Sequence, residues 1–112
     1  MTSKSPRTTA KQTTLTRRLP PIHPGEILKE TLGDLEISMN HLAQALHVPA
    51  NRISSIVAGQ RGISGETALR LARYFGTTPD YWINMQGQFD LEGARDQWDA
   101  RIRSEVRPRQ AA

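Results

Sequence analysis

With 112 residues, no cysteine and no apolar run near the ~20 residues that a bilayer demands, the sequence excludes disulfide chemistry, thiolate chemistry and a membrane-spanning helix. Its net charge of +4 is unevenly spread: residues 1–20 hold five basic side chains and no acid, residues 21–92 five against eight acids, residues 93–112 five against three. The middle is mildly acidic, so a phosphate-binding surface there has to gather its few cations on one face.

Residues 1–20 are rich in Thr, Ser, Lys and Arg, with Leu15 and Leu19 the only bulky apolar side chains. Too little surface is available for burial to offset ordering, so a flexible basic arm is expected over residues 1–21. No apolar stretch follows its charges; no secretory signal is expected, and a cytoplasmic setting fits the lack of cysteine.

Pro24 suits a first helical position, and Ile27, Leu28, Leu32 (or Thr31) and Leu35 place an inner face on a first helix over Pro24–Leu35. Ser38 is the predicted N-cap of a second helix, about Met39–Leu46. His47 occupies a turn position that needs a left-handed backbone, which His tolerates better than most non-glycine residues. A third helix is expected over Pro49–Ala58, closed by Gly59. Ser64 and Thr67 bracket the start of a fourth, with Ala68, Leu69, Leu71, Ala72 and Phe75 as its buried stripe and Gly76 as its stop. Thr78-Pro79-Asp80 opens a fifth helix carrying Trp82, Ile83, Met85 and Phe89, expected to reach about Val106 with a break near Gly87 or Gly93. Nothing alternates with period two, so the expected class is all-α, in five helices.

The second and third helices form the most informative pair. Leu42, Leu46, Ile53 and Ile56 point into one small core, Ala43 lets the helices touch, and Val48 anchors the bend. Such spacing is that of a helix-turn-helix, whose second helix enters a DNA major groove. Ala50, Asn51, Arg52, Ser54 and Ser55 are left outward. Arg52 can bond guanine O6 and N7 bidentately and Asn51 can do the same to adenine, each worth ~1–3 kcal/mol of discrimination. Pro49 and Ala50 suit an apolar contact to a thymine methyl. Asn40, His41 and Gln44 at the front of the second helix, Ser54 on the third, and Gln60 with Arg61 after it are candidates for phosphate. Glu66 reads here only as an acid favouring a helix start, and Arg70 and Arg73 as surface residues of the fourth helix.

His23, His41 and His47 lack a cysteine or carboxylate partner at ligand spacing, so no metal or other cofactor is expected. Neither a Ser/His/Asp grouping nor a phosphate-binding glycine loop is visible, and no catalysis is expected.

His23-Pro24-Gly25-Glu26-Ile27-Leu28, the helix-turn-helix, Gly59-Gln60-Arg61-Gly62-Ile63-Ser64, Thr67-Ala68-Leu69-Arg70-Leu71-Ala72, Phe75-Gly76-Thr77-Thr78-Pro79 and Tyr81-Trp82-Ile83-Asn84-Met85-Gln86 follow in order. Together, over about residues 22–92, they resemble the HigA-type, or VapI-like, antitoxins of the xenobiotic-response-element repressor class. The resemblance implies a λ-repressor-like domain over residues 22–92, with residues 93–112 as a helical extension and tail. It also implies a protein that neutralises a small basic toxin similar to HigB and RelE, a ribosome-dependent mRNA endonuclease. Such a protein dimerises, binds a palindrome in its own promoter and represses its operon. In that family the positions matching Pro49, Arg52 and Ser55 lie at or near bases; a proline at the first offers no hydrogen bond. A stand-alone repressor without a toxin is the alternative.

Two further surfaces are candidates for partners. Glu26, Glu30 and Asp34 fall at i, i+4 and i+8, an acidic strip that suits a basic toxin, although acids near a helix start are also stable when merely solvated. Leu91, Trp98 and Ile102 nearly follow a heptad seam and are candidates for dimerisation or toxin contact.

Overall fold

The computed structural model describes residues 21–110; the basic arm, apart from Pro21, lies outside the described residues. Five helices follow in order: α1 Pro24–Leu35, α2 Met39–Leu46, α3 Ala50–Val57, α4 Gly65–Phe75 and α5 Pro79–Glu105. Among the described residues there is no strand, and no helix is long and apolar enough to cross a membrane.

Local chemistry explains most of the boundaries. His23 caps α1 by accepting the Gly25 amide at its Nδ1 (2.9 Å), and its ring meets Phe89 of α5 edge-on at 4.8 Å. Ser38 accepts the His41 amide at 3.0 Å and caps α2, while Ser64 caps α4 by accepting from the Thr67 amide at 3.3 Å. His47 ends α2 in the left-handed conformation, at φ 59°. A second non-glycine residue with positive φ, Glu36 at 57°, ends α1.

The core joins Leu28 and Leu32 of α1, Leu42, Ala43 and Leu46 of α2, Ile53 and Ile56 of α3, Ile63, Ala68 and Leu71, and Trp82 of α5. Trp82 is buried, and its indole N–H donates to the Thr77 hydroxyl at 3.2 Å. That bond removes the cost of an unpaired polar atom in the core.

The structure departs from the sequence reading at three places. Leu35 is exposed: the chain reverses at Glu36, and Ile37 folds onto the core instead. Leu69 is 62% exposed, because the buried stripe of α4 is Thr67, Ala68, Leu71 and Ala72, and Leu69 lies about a quarter-turn off it. Pro49 is the N-cap of α3, with extended backbone (ψ 147°), rather than a residue of its first turn.

The fifth helix also runs unbroken through Gly87 and Gly93. A mid-helix glycine costs roughly 1 kcal/mol relative to alanine but leaves the backbone ladder whole. Gln86 with Asp90 spans Gly87 and Arg95 with Glu92 spans Gly93, and Gln88 with Glu92, Arg103 with Asp99 and Arg101 with Glu105 add further pairs three or four residues apart. From Gly93 onward every described residue of the helix is exposed.

Gly25 fixes how α1 crosses α3. A Cβ there would overlap the backbone carbonyl of Ile56, which cannot swing aside as a side chain can. Gly25→Ala should therefore destabilise the fold by about 2 kcal/mol despite alanine's better helix propensity. Thermal denaturation should show Tm falling by roughly 10 °C; an unchanged or higher Tm would mean that α1 is free to shift.

Candidate nucleic-acid interface

Four side chains hold the α2–α3 pair together: Leu42 and Leu46 from one helix, Ile53 and Ile56 from the other, all buried. The bend between the helices is closed by backbone bonds from Val48 N–H to the Ala43 carbonyl (3.0 Å) and from His47 N–H to the Gln44 carbonyl (3.1 Å). With its inner face buried in this way, α3 has to turn Ala50, Asn51 and Ser54 outward, and all three are exposed. Arg52 and Ser55 sit at the flank of the helix and are half-exposed. Ser54 turns its hydroxyl back to donate to the Asn51 carbonyl at 3.3 Å. Pro49, at the helix start, is exposed and makes no side-chain cap.

On α2, Asn40, His41 and Gln44 are exposed, and the Ser38 cap leaves amides of the first turn at the helix N-terminus. Such a terminus favours an anion. The segment after α3 is held more firmly than its glycines imply. The amides of Gln60 and Arg61 both donate to the Ser55 carbonyl, at 2.9 and 3.2 Å. Gln86 reaches over from α5 to accept the Ile63 amide at 2.8 Å, and Ile63 itself is buried. A Cβ on Gly62 would collide with the Gln86 side chain. Gln60 and Arg61 are thereby presented from an anchored loop, and the Arg61 guanidinium has no partner among the described residues.

Arg52 differs from the expectation of a side chain standing free. Its Nη1 donates to Glu66 Oε1 of α4 at 3.1 Å, and the arginine side chain is 24% exposed. The other oxygen of Glu66 accepts from Arg70 Nε and Nη2, at 3.2 and 3.0 Å. Arg70 also donates from Nη1 to the Leu46 carbonyl at the end of α2, at 2.8 Å. The hydrogen bond from Arg70, followed by the positive charge of Arg52, holds the Glu66 carboxyl below its ordinary value of 4.5. A carboxylate lowered in the folded state adds stability that is present above the ordinary value and lost as pH falls through the lowered one. The Glu66 side chain is more than half exposed and screened by water, so that contribution is small. Sequence reasoning missed this residue. Fourteen positions separate Glu66 from Arg52, and no local periodicity relates them.

Other candidates lie apart from α3. Glu26, Glu30 and Asp34 are exposed along α1, and Leu91, Trp98 and Ile102 are exposed along α5. The Trp98 ring is capped by the Arg101 guanidinium at 5.7 Å, an arrangement that shields part of its face. No group of three or more His, Asp or Glu gathers in a metal-binding arrangement among the described residues.

Comparison with known proteins places this geometry in a family. Residues 28–82 match the helix-turn-helix family model, a span that begins inside α1 and ends at Trp82. The virulence-associated protein I of Dichelobacter nodosus is 53% identical over 77 residues, which make up 68% of this chain and 71% of that protein. A solved addiction-module antidote protein of the HigA family from Coxiella burnetii is 48% identical, with a TM-score of 0.79, over 81% of this chain and 100% of that one. The Pseudomonas aeruginosa antitoxin HigA, solved with the higBA promoter, is 44% identical with a TM-score of 0.77, over 80% of this chain and 99% of that one. On these matches the chain belongs to the HigA-type antitoxin family of helix-turn-helix proteins.

Proposed function

We propose that this protein is the antitoxin of a HigBA-like toxin–antitoxin module and the repressor of its own operon. As a dimer it binds a palindromic operator, and it neutralises a small basic mRNA endonuclease similar to HigB and RelE. It acts in the cytoplasm, by binding rather than by catalysis. The observation that carries the reading is the outward turn of α3, with Asn51, Arg52, Ser54 and Ser55 on a helix whose opposite face is locked to α2, in a chain 44% identical to a HigA solved with promoter DNA.

In this reading Arg52 and Asn51 read base edges, Ser55 lies beside them, and Pro49 and Ala50 touch a thymine methyl. Asn40, His41, Gln44, Ser54, Gln60 and Arg61 set the register on phosphate. Arg52→Ala should weaken binding to a duplex from the protein's own promoter by about ten- to a hundredfold, and to a scrambled duplex much less. Fluorescence anisotropy with both duplexes measures this; an equal loss on both would reduce Arg52 to a phosphate contact.

One helix-turn-helix reads half a palindrome, so the operator requires two copies. Leu91, Trp98 and Ile102 are the residues that supply the dimer contact, since they leave an apolar row exposed on one face of α5. Trp98→Ala combined with Ile102→Ala should shift sedimentation from dimer to monomer at micromolar concentration. A dimer that survives both changes would move the contact elsewhere.

The strip of Glu26, Glu30 and Asp34 is the surface offered to a basic toxin. Reversing Glu30 and Asp34 to lysine should lower toxin affinity at least tenfold and make it less sensitive to salt. Titration calorimetry with the co-purified toxin decides it, and unchanged affinity would rule the strip out. A protein that co-purifies with no toxin from its native operon would instead be a stand-alone repressor.

A further inference from the structure

The guanidinium of Arg52 is held from one side only. Glu66 takes Nη1, while the Nε–Nη2 edge has no partner among the described residues. That edge presents two parallel N–H donors, the fork that fits guanine O6 and N7. Glu66 is itself fixed: Arg70 grips its second oxygen with two nitrogens, and Arg70 is tied in turn to the Leu46 carbonyl. The chain of contacts therefore runs from the last turn of α2, through the first two turns of α4, to the outer flank of α3.

We propose that Glu66 is a positioning residue for operator recognition: anchored by Arg70, it holds the Arg52 guanidinium with its Nε–Nη2 edge directed at a guanine. The inference rests on the reading of Arg52 as a base-contacting residue. A long side chain ordered before binding loses less freedom when it meets the base, so the carboxylate favours the correct sequence. Its negative charge also works against a phosphate oxygen settling in the same place. Together these effects widen the gap between operator and random DNA, with no contact from Glu66 to either.

The test uses the full chain with two duplexes, one from the promoter of its own operon and a scrambled copy. The proteins compared are the wild type, Glu66→Gln, Arg52→Ala and the double variant. Glu66→Gln should weaken binding to the promoter duplex by about two- to fivefold, the scale of an exposed ion pair's coupling. Binding to the scrambled duplex should stay equal or tighten, because an acid has been removed. In the Arg52→Ala background Glu66→Gln should have no further effect on operator preference, a result that a merely structural role would not produce. Arg70→Lys, which loses the two-nitrogen grip, should lower operator preference in the same direction.

Tighter binding of Glu66→Gln to both duplexes would overturn the proposal and make the carboxylate a latch that competes with DNA. An undiminished Glu66→Gln effect in the Arg52→Ala background would overturn it as well. If Arg52→Ala abolishes operator preference while Glu66→Gln leaves it intact, only the positioning role falls. If Arg52→Ala itself leaves operator preference intact, the underlying reading falls with it.

Discussion

Burial of Ile53 and Ile56 against Leu42 and Leu46 is the interaction on which the rest of the molecule depends. Each such side chain contributes ~1.5–3 kcal/mol when fully buried, and together they set the angle between two helices of only eight residues each. Helices so short are not stable alone in water. Their persistence comes from this shared core, and so does the direction in which Asn51, Arg52 and Ser54 point. The left-handed turn at His47 and the close approach of Gly25 to the Ile56 carbonyl are the two backbone conditions under which that core can form.

Around this pair the remaining elements act as supports. α1 closes the core through Leu28 and Leu32 and rests on α3 at its first turn. α5 closes it from the other side with Trp82, and through Gln86 it fixes the loop bearing Gln60 and Arg61. α4 contributes Ala68 and Leu71 to the same core and presents Glu66 and Arg70 toward α3 and α2. The surface that meets DNA in the proposed function is therefore assembled from two helices and one loop, each tied to its neighbours by a hydrogen bond or by buried apolar surface.

Charge is arranged to match. The described core carries more acids than bases, so attraction to DNA cannot come from its net charge. The arginines near α3 have distinct roles: Arg61 is unpaired among the described residues, Arg52 shares Glu66, and Arg70 is consumed internally by Glu66 and Leu46. Farther out, the exposed half of α5 offsets its glycines with side-chain pairs along the helix. Its apolar row remains uncovered in the single chain.

Local chemistry in the sequence determined the helices and their ends. Ser38, Ser64, Thr78-Pro79 and Gly76 are stop and start signals that act within a turn of themselves, and the start of α2, both ends of α4 and the start of α5 follow from them. The helix-turn-helix and its outward residues were legible for the same reason, since an apolar spacing of three and four names the buried face and so the opposite one. Only tertiary structure decided which borderline residues are covered. Leu35 and Leu69 have the composition of core residues, but the reversal at Glu36 and the rotation of α4 leave them in solvent. It alone decided that Glu66 meets Arg52, and that Gln86 meets Ile63, because these partners lie 14 and 23 residues apart and no short-range pattern encodes such a pairing.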